Sequence, residues 1–393
     1  MAQPFTTQLL PSISSKLGVL QLNNPASLNA LTLEMIRSMT PTLNAWHKAG
    51  VRATLMVGTP YEKNGKSKPA FCAGGDVKAV YLAGLAGDKA LTADFFREEY
   101  QLNYQIATQP PHMPQVSIWD GVVMGGGVGL SVHGKYRVAT ENTLFAMPEC
   151  KIGLIPDVGG TWWIPRLKLY SQWQNKSVVG GVGNYLALTG ARLKAEDLIY
   201  AGIATHYVKS NQLEELKRAL VDASQGDGSS HLGDCAASVL TSFHDHNIDL
   251  EASFLFQNKH DIDYAFDGKD SMEEIVTSLE SMGDSQFGQS TLKTLQQMSP
   301  TSLKVTLEGM KRGAKAQTIR EALQMEYRIS QAFMKEGSDF YEGIRAVLVD
   351  KDGNPKWNPA SLQEVTAEMV EGYFEELGDK KELCLMGTES AKL

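Results

Sequence analysis

The stretch Asp120-Gly-Val-Val-Met-Gly-Gly-Gly-Val-Gly-Leu130 constrains this chain more than any other. Gly125, Gly126 and Gly127 carry no Cβ, so the main chain there can come against a ligand or another backbone with no side chain in the way. Where such a run opens a helix, the first N–H groups lack intrahelical partners and face an anion. Two carboxylates follow closely, Glu149 in Phe145-Ala-Met-Pro-Glu149 and Asp157 in Ile155-Pro-Asp-Val-Gly-Gly160. They stand eight residues apart on a segment broken by Pro and Gly, so they can converge from a loop instead of spreading along one helix. Free amides beside two acids suit acid/base chemistry on a carbonyl whose oxygen gains negative charge.

Around this run the chain repeats strand, loop and helix. Leu17–Leu22 reads as a strand closed by Asn23-Asn24-Pro25. Thr32 then caps a predicted helix with Leu33, Ile36, Leu43 and Trp46 on one face, which Pro41 is expected to kink or divide. Ala53–Val57 reads as a buried strand, Gly65-Lys-Ser-Lys-Pro69 as a polar loop, and Gly74-Gly75-Asp76 as a helix start ahead of Val77. Residues 92–109, with Phe95, Phe96, Tyr100, Leu102 and Ile106, predict a helix whose solvated face would ordinarily take Glu98 and Glu99. Val116–Trp119 is the next strand, residues 128–132 read as helical, and Tyr136–Ala139 and Thr143–Phe145 as short strands. This order predicts an α/β fold built from βαβ or ββα units, with its loops at one end of the sheet.

Asn175–Gly183 reads as a loop before a helix over Asn184–Leu188, and beyond about residue 210 the pattern turns helical. Leu213, Leu216 and Leu220 mark one helix and Met272–Leu279 another; Thr301–Arg312 and Ile319–Phe333 follow, with Ser299 and Thr318 as caps. A chain of 393 residues exceeds what one core usually covers, so we expect a core domain over 1–210 and a mainly helical region over 211–393 packed on it.

Composition narrows the partners. Against 37 Lys and Arg stand 45 Asp and Glu, a net charge of −8 with no block of like charge, so no broad surface for nucleic acid is expected. Cys72, Cys150, Cys235 and Cys384 are far apart, which argues against a zinc site and a disulfide framework; no metal is expected. Cys72 and Cys150 read as packed small side chains, and His244 and His246 as surface residues. The glycine run misses G-x-G-x-x-G because Leu130 fills its last place, so a dinucleotide site is not expected. The first twenty residues show neither a secretory pattern nor an Arg-rich leader, and the apolar stretch at 79–87 is too short to span a bilayer. These features lead to the expectation of a soluble, cytoplasmic protein without a membrane partner.

Phe71-Cys-Ala-Gly-Gly-Asp76, Met124-Gly-Gly-Gly127 and Met147-Pro-Glu149 together resemble the oxyanion-hole and acidic segments of the crotonase (enoyl-CoA hydratase/isomerase) superfamily. The likeness runs over nearly the whole chain, through Phe95-Phe-Arg-Glu-Glu-Tyr100, His133-Gly134, Tyr136-Arg-Val-Ala-Thr-Glu141, Leu186-Ala-Leu-Thr-Gly190, Met298-Ser-Pro-Thr-Ser302, Glu342-Gly-Ile-Arg-Ala-Val347 and Pro355-Lys-Trp357. Those segments resemble the branch that hydrolyses short, branched 3-hydroxyacyl-CoA thioesters, foremost 3-hydroxyisobutyryl-CoA. The resemblance implies a ββα spiral core with a helical C-terminal region, an acyl-CoA substrate, no cofactor beyond the coenzyme A of that substrate, and room for a homo-oligomer. It also implies roles. Gly75 and Gly126 match the oxyanion amides, Glu149 and Asp157 the catalytic acids, and Glu99 a substrate-contacting acid. Ala73, Gly74, Asp76, Val77 and Gly125 fall among the substrate-binding positions.

At Gly129 the chain departs from the enoyl-CoA hydratases, which carry a glutamate there, and this favours hydrolysis. An enoyl-CoA hydratase or isomerase, and a noncatalytic CoA- or RNA-binding member, are the alternatives. Each acid also has a structural reading: Glu149 follows Pro148 and can cap a turn, and Asp157 occupies a Pro-Asp-x-Gly turn that favours Asp.

Overall fold

The structure, a computed structural model, describes residues 5–9, 16–170, 181–225, 232–378 and 381–385. Most of the loop expected at Asn175–Gly183 therefore lies outside the described residues; the helix after it runs over Val182–Thr189.

Its frame is a six-stranded sheet. In chain order the strands of the molecule are β1 (Phe5–Leu9), β2 (Leu17–Leu22), β3 (Ala53–Gly58), β4 (Tyr61–Lys63), β5 (Lys66–Lys68), β6 (Gln115–Trp119), β7 (Val122–Met124), β8 (Tyr136–Ala139), β9 (Leu144–Ala146) and β10 (His206–Tyr207). The large sheet runs β1-β2-β3-β6-β8-β10, with β1 antiparallel to β2 and every other pair parallel. β2, β3, β6 and β8 each feed a second extended segment that leaves the sheet and pairs in another layer. There β7 lies parallel to β9, Cys72 bridges to Val123, and Phe145 bridges to Leu193. Strand, second strand, helix, and return to the first sheet make the ββα spiral that the resemblance implied. β4 and β5 form a hairpin across Asn64-Gly65, both at positive φ, where a plain polar loop was expected. Asn-Gly is the pair that such a two-residue turn requires.

Parallel strands are buried on both faces, and alternate residues go to different cores. On one face Leu17, Leu55, Val116, Ile118 and Val138 meet Leu213, Leu216, Leu220, Ala236 and Leu240 from the helices Leu213–Ser224 and Leu232–Phe243. On the other, Leu20, Leu22, Met56 and Trp119 join a larger cluster with α1 (Leu33–Lys48), α2 (Val77–Leu85) and α3 (Lys89–Ala107). Each such side chain contributes roughly 1.5–3 kcal/mol when fully buried.

Thr32 caps α1 by accepting from the Met35 amide. The helix continues through Pro41 without the division that was one of the two expected outcomes, and Met35, Ile36, Met39, Leu43 and Trp46 hold both sides of the proline in the core. After β10, every regular element among the described residues is helical. Ser299 and Thr318 cap Pro300–Lys315 and Ile319–Phe333 as expected.

Candidate active site

α3 places the first acid. Its inward stripe is Phe95, Phe96, Glu99, Tyr100, Leu102, Asn103 and Ile106, so the neighbouring glutamates part company. Glu98 turns outward and accepts from Arg37 at 2.6 and 2.9 Å. Glu99, expected by its polarity on the solvated face, is only 2% exposed.

Opposite Glu99 lie the two glycine segments. Gly74 sits at φ 111° and Gly125 at φ 44°, ψ −119°, backbone that a side chain rarely adopts. A Cβ on Gly126 would lie 2.5 Å from Glu99 Oε1 and 3.1 Å from the Gly75 nitrogen; one on Gly125 would lie 2.9 Å from Glu149 Oε1. The glycines therefore keep open the space where two carboxylates and two backbone stretches meet. Among the described residues neither the Gly75 nor the Gly126 amide has a hydrogen-bond partner. Glu149 opens a short 3-10 turn, Glu149–Ile152, that closes on Gly153 at φ 71°.

The third acid stands on a tighter turn. Val158 and Gly159 follow Asp157 with φ 52° and 83°. His133 Nε2 donates to the Val158 carbonyl at 2.8 Å. Burial lowers that imidazole to about 4, so it is neutral near pH 7. A Cβ on Gly129 would meet Val158 Cβ at 2.5 Å and Asn103 Nδ2 at 2.9 Å, so the space that a glutamate would need is filled by the Asp157 turn. Tyr100 donates its hydroxyl to Asp157 Oδ2 at 2.6 Å. The Glu326 carboxylate, from the helix Ile319–Phe333, accepts from the amides of Gly159 at 2.7 Å and Thr161 at 2.8 Å and from the Thr161 hydroxyl at 2.6 Å.

These groups share one small cavity of about 80 Å³, lined by Ala73, Gly74, Gly75, Val77, Phe95, Phe96, Glu99, Met124, Gly125, Gly126, Pro148, Glu149, Ile152, Leu154 and Asp157. Burial, and then Asp157, pushes both Glu99 and Glu149 well above the ordinary carboxyl range. Burial raises Asp157 to about 6 against the downward pull of the Tyr100 hydroxyl. Three carboxyls so close cannot all ionise, and the one with a hydroxyl donor ionises first. Glu99 Oε1 and Glu149 Oε2 are buried without a hydrogen-bond partner among the described residues. A larger cleft of about 590 Å³ lies elsewhere, lined by Arg137, Trp162, Arg166 and Lys168 among others, and no acid is among its described lining residues.

Of the positions singled out in the sequence, the structure gathers Gly75, Gly126, Glu149, Asp157, Glu99, Ala73, Gly74, Val77 and Gly125 around the cavity. Asp76 is not among them, because its carboxylate caps α2 on the Ala79 amide and its own amide donates to Leu31. Cys72 and Cys150 are buried thiols pushed up to about 12 by burial. His246 is exposed, whereas His244 is half-buried and accepts from the Tyr207 amide. Among the described residues no group of His, Cys, Asp and Glu is arranged to hold a metal ion, and no helix is long and apolar enough to cross a membrane. Tyr100, His133 and Glu326 were missed as site residues; the first two lie inside recognisable motifs, while Glu326 carries no local signal.

The spiral fold and paired amides define an acyl-CoA-handling class, and the chain belongs to the enoyl-CoA hydratase/isomerase family, whose model matches residues 17–374. It is 45% identical over 363 residues to a Gallus gallus protein named 3-hydroxyisobutyryl-CoA hydrolase, mitochondrial, covering 92% of this chain and 87% of that one. A Danio rerio protein of the same name is 45% identical over 387 residues, 98% of this chain and 94% of the relative. A crystal structure described as a carnitinyl-CoA dehydratase from Mycobacterium thermoresistibile superposes with a TM-score of 0.82 at 36% identity, covering 98% of this chain and all of that one. The mitochondrial names overturn the expectation of a cytoplasmic protein. That expectation rested on the first twenty residues, and a compartment address is independent of the fold.

Proposed function

We propose that this chain hydrolyses a short 3-hydroxyacyl-CoA thioester, 3-hydroxyisobutyryl-CoA, to 3-hydroxyisobutyrate and free coenzyme A, a step of valine breakdown. Coenzyme A is then part of the substrate, and the reaction calls for no separate cofactor. The observation that carries this reading is the exchange of acids: Gly129 leaves no room for a carboxylate, and Asp157 stands in the cavity instead.

In this mechanism the thioester oxygen takes the free amides of Gly75 and Gly126, which stabilise it as it gains charge. Loss of one such donor typically costs about 3–4 kcal/mol. Glu149 faces the same point by two routes. As a nucleophile it bonds to the carbonyl carbon, the C–S bond breaks with its electron pair leaving on sulfur, and water then hydrolyses the anhydride. As a base it takes a proton from water, whose oxygen bonds to the carbonyl carbon as the C–S bond breaks with its electron pair leaving on sulfur. Asp157, oriented by Tyr100, relays the proton that the thiolate finally takes. Glu99, with its unpaired Oε1 beside Gly126, accepts from the substrate hydroxyl. A cavity of about 80 Å³ suits a short acyl group, well below the ~300–1,000 Å³ of pockets for drug-sized ligands.

The testing experiment follows free thiol from 3-hydroxyisobutyryl-CoA and isobutyryl-CoA, and hydration of an enoyl-CoA. We expect rapid thiol release from the first and much slower release from the second, because a missing hydroxyl leaves Glu99 unpaired. Hydration of the enoyl-CoA without thiol release would sink the hydrolase reading in favour of a lyase of the kind named for the Mycobacterium thermoresistibile structure.

A further inference from the structure

Asp157 stands on a turn that its own residues do not favour. Val158 is β-branched and held at φ 52°, followed by Gly159 at φ 83°. Left-handed backbone at such a residue is strained and persists only where its surroundings over-determine it. The one-turn helix that follows, Gly160–Trp163, begins at Gly159, which has no side chain to cap it. Its cap comes from 167 residues away, as the Glu326 carboxylate bonds the amides of Gly159 and Thr161 and the Thr161 hydroxyl.

Glu326 is fully buried and is not among the residues lining the cavity. Burying a carboxyl is costly, and a well-packed apolar residue in its place is commonly neutral or stabilising, so stability alone does not account for it. The next residue on the helix, Tyr327, meets Tyr100 edge-on with ring centroids 6.3 Å apart, and Tyr100 is the donor to Asp157. One helix of the C-terminal region thus supports both the turn beneath Asp157 and the hydroxyl that orients its carboxylate.

We propose that Glu326 is a positioning residue for Asp157: by holding the Gly159 and Thr161 amides it keeps the Asp157–Gly159 turn in the left-handed form that presents the Asp157 carboxylate to the cavity. This inference rests on the hydrolase reading above and deepens it. Glu326 touches no substrate; it acts through Asp157 alone.

The test is a double-mutant cycle on thiol release from 3-hydroxyisobutyryl-CoA. Glu326→Gln keeps the shape but turns an amide donor toward donors. A displacement of about 1 Å can cost on the order of 100-fold, so kcat should fall roughly 10- to 100-fold with KM changed less than about twofold. In the Asp157→Asn background the same change should cost no more than about twofold, because groups acting as one unit are non-additive. Thr161→Val, which removes one donor at constant volume, should give a smaller loss that likewise vanishes in that background, and it decides the matter if Glu326→Gln does not fold. An equal fractional loss in both backgrounds, or full turnover in Glu326→Gln, overturns the proposal. Absence of thiol release from the unaltered chain would instead sink the hydrolase reading itself.

Discussion

Two of the cavity's three acids, Glu149 and Asp157, stand on turns, and the turns are held in different ways. The Glu149 turn is largely closed by its neighbours: Glu149–Ile152 forms a 3-10 turn, the Leu154 amide donates to the Glu149 carbonyl, and Gly153 supplies the left-handed residue that ends it. The Asp157 turn has one local bond, from the Gly160 amide to the Asp157 carbonyl at 2.7 Å, and is otherwise held from afar, by His133, by Tyr100 and by Glu326. The first acid thus sits where local backbone chemistry puts it. The second depends in addition on three distant side chains, and its Val158 packs where Gly129 has no side chain. An acid can be moved to a new place in an old site if the rest of the fold supplies the grip.

The largest effect should come from the locally held acid. Glu149→Gln preserves shape and removes both nucleophile and base, so turnover should fall at least ~10²–10⁴-fold while binding of coenzyme A barely changes. Near-normal turnover, with an unchanged thermal transition, would break the comparison at its first term. Gly129→Ala probes the other turn without touching an acid. Its Cβ would meet Val158 Cβ at 2.5 Å, so the turn must shift. We expect a turnover loss of about 10- to 100-fold and destabilisation of about 1–3 kcal/mol. Full activity and an unchanged melting temperature would show that the contact is relieved without moving Asp157.

Acid strength separates the turns further. Burial holds Asp157 at about 6 and Glu149 well above its ordinary range. The proposed nucleophile or base, Glu149, must be ionised, so kcat/KM should fall as pH drops through a range above the ordinary carboxyl one, the apparent value belonging to the interacting acids together. A limb centred near 4 would mean that the acids are solvated and unshifted. The smallest effect concerns stability. With the folded value near 6 and the unfolded value near 3.8, the folded protein binds the extra proton, so Asp157 destabilises it fully above about pH 6 and not below about pH 4. Asp157→Asn should therefore raise the melting temperature at pH 7–8 by an amount that fades toward pH 4; a gain independent of pH would contradict this.

Much of this was legible before any coordinates. The glycines at 74–75 and 125–127, Glu149, Asp157 and Glu99 lie in compact motifs, and periodicity with caps at Thr32, Ser299 and Thr318 locates their helices. Features that depend on distant partners were not. Polarity alone put Glu99 on the solvated face of α3 with Glu98, and only the family resemblance turned it toward the site, because polarity cannot tell which side of α3 meets the glycines. Asp76 looked like a ligand-binding residue because a cap and a binding acid share one sequence pattern. The hairpin over Lys66–Lys68 is exposed and short, so no apolar alternation marks it. Glu326 sits among core residues of an amphipathic helix, 167 positions from the amide it holds.

Asp157, gripped beside Gly129, is the acid on which we propose that hydrolysis at this site depends. The direct measurement is thiol release from 3-hydroxyisobutyryl-CoA by the unaltered chain and by Asp157→Asn, with folding checked by thermal unfolding at the same pH. The account predicts rapid release by the former and a loss of ~10²–10⁴-fold in the latter, with the fold intact. Equal rates for the two proteins would contradict it.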